Sequence, residues 1–132
     1  MATVNTTCSF HIKPTLWSSV IFIFVVCVIF AAKYTMLRMR VDFAEAQVDI
    51  FEQMKGSANE TTDALKLSGL LEYVVNYYPS DSKQPKGSRL DRVVETARSN
   101  AIGAIISRLR TATGKDLGES PEEWFKEFPP AH

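Results

Sequence analysis

Charge is almost missing from the start of this chain. Of 132 residues, the first 32 hold one formally charged side chain, Lys13, and the remainder carries 14 of the 15 basic and all 15 acidic residues. Cysteine is scarce as well: Cys8 and Cys27 lie before and inside the apolar stretch, so the part that follows has no thiol and no disulfide to brace it. Histidine is limited to His11 and His132, which leaves a hydrolytic triad without a base beside its nucleophile and a zinc site without clustered Cys and His. The few glycines form no dinucleotide turn. Gly114-Lys115 fails as a phosphate loop, with Leu109 where that loop needs glycine and Asp116 where it needs Ser or Thr. The expectation is therefore no catalytic residue, no cofactor and no metal. A net charge of zero, with no aromatics interleaved among the basic residues, argues against nucleic acid as a partner.

What is present first is an uninterrupted apolar run between Lys13 and Lys33. Extended to Thr15 and Tyr34 it spans roughly 30 Å as a helix, the thickness of a bilayer core. The reading is one transmembrane helix over 14–34, after a short segment 1–13, with Trp17 and Tyr34 at the two interfaces and Lys13 and Lys33 reaching the headgroups. A cleaved signal peptide is the competitor, but cleavage after Ala32 or Ala31 would put the bulky Phe30 or Ile29 at the minus-three position. A lipoprotein cut before Cys27 meets Val26 where a small residue is required. Lys33, Arg38 and Arg40 on the C-terminal flank favour a cytoplasmic C-terminal part. Asn5-Thr6-Thr7 and Asn59-Glu60-Thr61 have the form of glycosylation sequons on opposite sides of the crossing, a form that arises often by chance.

Beyond the membrane, Phe30, Tyr34, Leu37, Val41, Ala44, Val48 and Phe51 alternate spacings of four and three, a heptad seam. It predicts a helical stalk over 35–55. Either Leu37, Val41, Ala44, Val48 and Phe51 form a self-association seam, or the stalk lays its apolar face on the domain that follows. Lys55-Gly56-Ser57-Ala58-Asn59 reads as a helix stop, with Thr61 or Thr62 capping the next helix.

A small helical domain is expected over 56–128, with a tail at 129–132. Its first helix, 63–78, places Leu67, Leu70, Leu71, Val74, Tyr77 and Tyr78 on one face and Ser68, Glu72 and Asn76 opposite, and ends at Pro79. A proline-rich loop, 79–88, connects it to a helix over 89–112 capped by Ser88 with Asp91 and closed by Gly114. The broad apolar arc of that helix, from Leu90 and Val93 to Leu109, calls for two neighbours, while Ser99, Gly103 and Ser107 run along its polar side. A short helix from Pro121 follows, with Ser120 and Glu123 as a capping box. The fold class is all-α: one transmembrane helix continuing into a stalk, then two main helices and a short closing one.

The closing pattern T-G-K-D-L-G-x-x-P-x-x-W resembles the last segment of some bacterial HEAT-like helical-repeat proteins. That resemblance covers about a fifth of the chain, roughly 98–124. It implies helical architecture and a bacterial source, and it carries no functional residue with it. No second repeat accompanies it.

Two charge features remain. Asp116, Glu119, Glu122, Glu123 and Glu127 make an acidic tail without calcium-loop spacing, suited to first-turn helix acids. The stretch 83–110 is basic, and Arg89, Arg92 and Arg110 are the candidate contacts to anionic lipid headgroups; the alternative is pairing within the chain, Arg92 and Arg98 with Glu95 on their own helix and the others with the acidic tail. The expected function is non-enzymatic: a single-pass, membrane-anchored interaction or scaffold protein that self-associates through its stalk or joins a larger membrane complex. The alternative is a membrane-tethered regulator whose basic helix 89–110 touches lipid.

Overall fold

The computed structural model describes residues 14–77 and 84–130. Among these every regular element is helical, as the sequence predicts, and there are four: α1 (Pro14–Glu60), α2 (Ala64–Asn76), α3 (Arg89–Thr113) and α4 (Pro121–Glu127). The expectations for segment 1–13, for Tyr78 and the first half of the proline-rich loop, and for His132 lie outside the described residues. The chain divides into two compact units, Met1–Leu37 and Arg38–His132.

The second unit does not begin where the loop signal at Lys55-Gly56 suggests. α1 runs through that signal to Glu60. Gly56 in a helix interior costs about 1 kcal/mol relative to alanine, and that cost is overridden by the packing around it: Phe51 before it and Ala58 after it are each 1 % exposed in the core. The stalk is thus a wall of the domain. α2 takes its N-cap from Asp63, whose carboxylate accepts from the Leu65 amide at 3.0 Å, in place of Thr61 or Thr62. The Thr61 hydroxyl instead accepts from the Asp63 amide at 3.2 Å, shaping the turn into the cap. α2 stops at Asn76, with Tyr77 already extended.

Contacts along the unit fix how its helices run. The Gln84 amide nitrogen donates to the Arg40 carbonyl at 2.7 Å. Further along α1, Phe51 meets Tyr77 edge to face, their ring centroids 5.9 Å apart. Arg108 Nε donates to the Thr61 carbonyl at 3.1 Å. Residues 38–60 of α1 therefore run from an Arg40 end to a Thr61 end, α2 returns, and α3 runs parallel to α1 again. α2 packs against both α3 and α4.

The core between them holds Leu67, Leu71 and Val74 of α2, Val94, Ala101, Ile105, Ile106 and Leu109 of α3, and Ala44, Phe51 and Ala58 of α1, with Trp124 from α4 closing it. Burying side chains of this kind is worth about 1.5–3 kcal/mol each for the larger ones. Two residues depart from the helical-wheel expectation. Val93 is 56 % exposed, outside the apolar arc to which its spacing assigned it. Ser68, expected on the polar face, is fully buried, because its hydroxyl donates to the Phe128 carbonyl and so fastens α4 to α2.

α3 begins and ends where predicted. The Ser88 hydroxyl accepts from the Asp91 amide at 3.1 Å and Asp91 accepts from the Gly87 amide at 2.7 Å; Gly114 closes the helix in the left-handed region, at φ +67°, where a side chain is costly. The box at α4 does not form. Ser120 holds the N-cap position, but its hydroxyl donates to the Glu122 carboxylate, and Glu123 pairs with Lys126 at 2.6 Å. A charged acceptor within reach of the hydroxyl outcompetes the backbone.

Candidate functional site

Three surfaces bear on function. The first is the apolar face of α1. It is long and apolar enough to cross a membrane, and none of its apolar window is buried inside the protein. Val20, Phe22, Phe24, Ile29 and Phe30 are all more than half exposed. A core helix of a soluble protein would hide such a window, and soluble proteins rarely leave apolar patches of this extent uncovered. The Thr35 hydroxyl donates to the Ala32 carbonyl at 2.9 Å, a back-bond within the helix that needs no water.

The second surface is the heptad seam, which splits in two. Ala44 is 4 % exposed and Phe51 1 %, with Val48 packed against them, so these positions belong to the core. Leu37 and Val41, at 58 % and 42 % exposed, do not. Met36, Met39 and Phe43 are exposed nearby on the same helix. The part of the seam available to another chain is its Leu37 and Val41 portion.

The third surface is the first two turns of α3. Arg89, Arg92, Val93 and Thr96 line a shallow depression open to solvent. Arg89 and Arg92 are exposed and make no ion pair among the described residues. The other basic residues of the helix are engaged. Arg98 donates from Nε to the Val74 carbonyl at 3.2 Å and from Nη2 to the Val75 carbonyl, and pairs with Glu95. Its guanidinium thus terminates α2, where unpaired carbonyls and the helix dipole favour a cation. Arg110, grouped with Arg89 and Arg92 by sequence, is held by Asp116 at 2.7 Å and Glu119 at 2.8 Å. Those bonds, Glu119 first, raise the Arg110 pKa further.

The closing segment accounts for its own sequence pattern. Thr113 donates to the Leu109 carbonyl at 2.7 Å and accepts from the Lys115 amide at 3.3 Å. Asp116 accepts from the Gly118 amide, which with Arg110 holds its carboxyl below the ordinary value. Gly118, at φ +84°, presents its carbonyl to the Trp124 indole N–H at 3.0 Å. Ser120 likewise lowers the Glu122 pKa. Lys115 pairs with Glu127 and lies 5.6 Å from the Phe128 ring centroid. The acidic tail is thus a set of local ion pairs and turn bonds, and among the described residues no group of three or more His, Cys, Asp and Glu side chains could hold a metal ion.

The Arg98–Glu95 pair is as the sequence suggests, but sequence reasoning did not foresee the Arg98 bonds to the Val74 and Val75 carbonyls, the Gln84 bond or the buried position of Ser68. Each acts on a residue far away in the chain, and nothing in local spacing signals it. Comparison with protein-family models, with curated proteins and with solved structures returned no match.

Proposed function

We propose that this is a non-enzymatic, single-pass membrane protein that anchors through α1 and presents its helical unit, residues 38–130, as an interaction or scaffold module. The observation that carries the reading is the contrast between the two apolar surfaces. The helical unit spends Phe51, Leu71, Ile105 and Trp124 on its own core, whereas none of the apolar window of α1 is buried among the described residues. A bilayer supplies that cover, at the thickness such a helix matches.

The partner proposed for the module is a second copy or a larger membrane complex, met through the exposed Leu37 and Val41 portion of the seam. Ala44, Val48 and Phe51 contribute indirectly, by holding the helix in the unit. The basic residues flanking the apolar run support a cytoplasmic helical unit and a cell-membrane location. The experiment is flotation of the full chain with phosphatidylcholine vesicles, followed by cross-linking in dilute and concentrated bilayers. Co-flotation with concentration-dependent dimers lost in Leu37→Glu and Val41→Glu agrees with the proposal. A chain that fails to float, or a monomer at every density with no co-purifying membrane partner, contradicts it.

A further inference from the structure

We propose that the Arg40 end of the helical unit is a docking surface for anionic phospholipid headgroups, with Arg89 and Arg92 as its principal contacts. The inference rests on the membrane-anchor reading and adds to it a specific lipid chemistry and a specific face.

Placement supplies the first argument. The Gln84 bond to the Arg40 carbonyl brings the residues leading into α3 to the Arg40 end of the unit. Arg38 and Arg40 are then joined at that end by Arg89 and Arg92 from a segment distant in sequence. Of the acids there, Asp91 is buried and turned onto the Gly87 amide, and Asp42 lies on α1.

The second argument is the contrast with the opposite end. There Arg108 is bound to the Thr61 carbonyl, Arg110 to Asp116 and Glu119, Lys115 to Glu127, and Lys126 to Glu123. Arg110, Lys115 and Lys126 are thus paired with carboxylates, whereas at the Arg40 end two guanidiniums stand exposed around a shallow depression that also holds Val93. Guanidinium forks match phosphate oxygens, and an exposed valine between them suits the boundary of headgroup and acyl chain. A soluble acidic ligand would have to be captured from dilution, whereas a membrane anchor in the same chain gives the unit a high effective concentration near a bilayer.

The test uses the full chain in vesicles of phosphatidylcholine alone and of phosphatidylcholine with about one third phosphatidylserine, with amide hydrogen exchange followed across residues 84–96. A basic residue at an anionic surface shifts docking by about fivefold. Exchange in the first turns of α3 is expected to slow by about that factor or more in the serine-lipid vesicles, and to return to the neutral-lipid rate in high salt. The Arg89→Glu, Arg92→Glu double variant should lose the slowing while Trp124 keeps its buried emission. If that variant misfolds, the salt series on the unaltered chain decides. Equal exchange in the two vesicles, slowing that survives high salt or survives in a folded double variant, or slowing by inorganic phosphate alone in neutral vesicles overturns the proposal. A chain that floats with both vesicles but shows no serine-lipid effect refutes the docking surface alone; one that floats with neither refutes the anchor.

Discussion

Trp124 concentrates most of what single residues contribute to the closing segment. Its ring fills the end of the core and its indole N–H takes the Gly118 carbonyl. Trp124→Ala should cost about 3–5 kcal/mol in urea unfolding of the helical unit. Trp124→Phe keeps part of the packing and loses the hydrogen bond, a smaller loss by comparison. Arg98 is the second case: Arg98→Met removes a cation bonded to two carbonyls at the end of α2 and should cost about 2 kcal/mol, and lysine, a point charge without the fork, should not restore it. Titration gives a third. Asp116 and Glu122 have carboxyls lowered by the Gly118 amide and the Ser120 hydroxyl respectively. Their stabilisation is present above the ordinary carboxylate values and is lost as pH falls through the lowered folded ones. In a Trp17→Phe background, Trp124 emission should therefore be unchanged above the ordinary carboxylate range and shift as pH falls below it, and Asp116→Asn should blunt that acid transition.

At the scale of elements, α1 is the decisive case, because one helix serves two environments. A charge at Val48 should unfold the unit, since that side chain packs against the hydrophobic core, whereas a charge at Leu37 or Val41 should leave far-UV helix content and Trp124 emission intact. Circular dichroism of the three variants separates the outcomes. Gly56→Ala should raise stability by about 1 kcal/mol, as nothing lies within 4 Å of a Cβ built there. The limits of α3 were legible in the sequence because Ser88, Asp91 and Gly114 act within a turn of the helix end they define, and the core face of α2 was legible from its 3.6-residue period. The stop at Lys55-Gly56 was misread because Ala58 is held by the tertiary core, which outweighs a local glycine. Ser68 and Gln84 were invisible for the same reason: their partners, Phe128 and Arg40, are distant in sequence. The candidate basic surface was half legible. Composition pointed to Arg89, Arg92 and Arg110 together, and only the fold separates the first two from the third, which Asp116 and Glu119 occupy.

The whole molecule is organised by where its apolar surface goes. Residues 38–130 build a core from three helices and a closing one, whereas none of the apolar window of α1 is buried among the described residues. That division is the ground for the proposed membrane anchor; within the unit, Arg89 and Arg92 stand exposed at the Arg40 end while Arg110, Lys115 and Lys126 are paired with carboxylates. The most direct measurement is alkaline extraction of membranes bearing the full chain with a tag at each terminus. The account predicts that the chain stays with the bilayer pellet with both tags present. Release into the alkaline supernatant, or loss of the N-terminal tag by cleavage near Ala32, would contradict it.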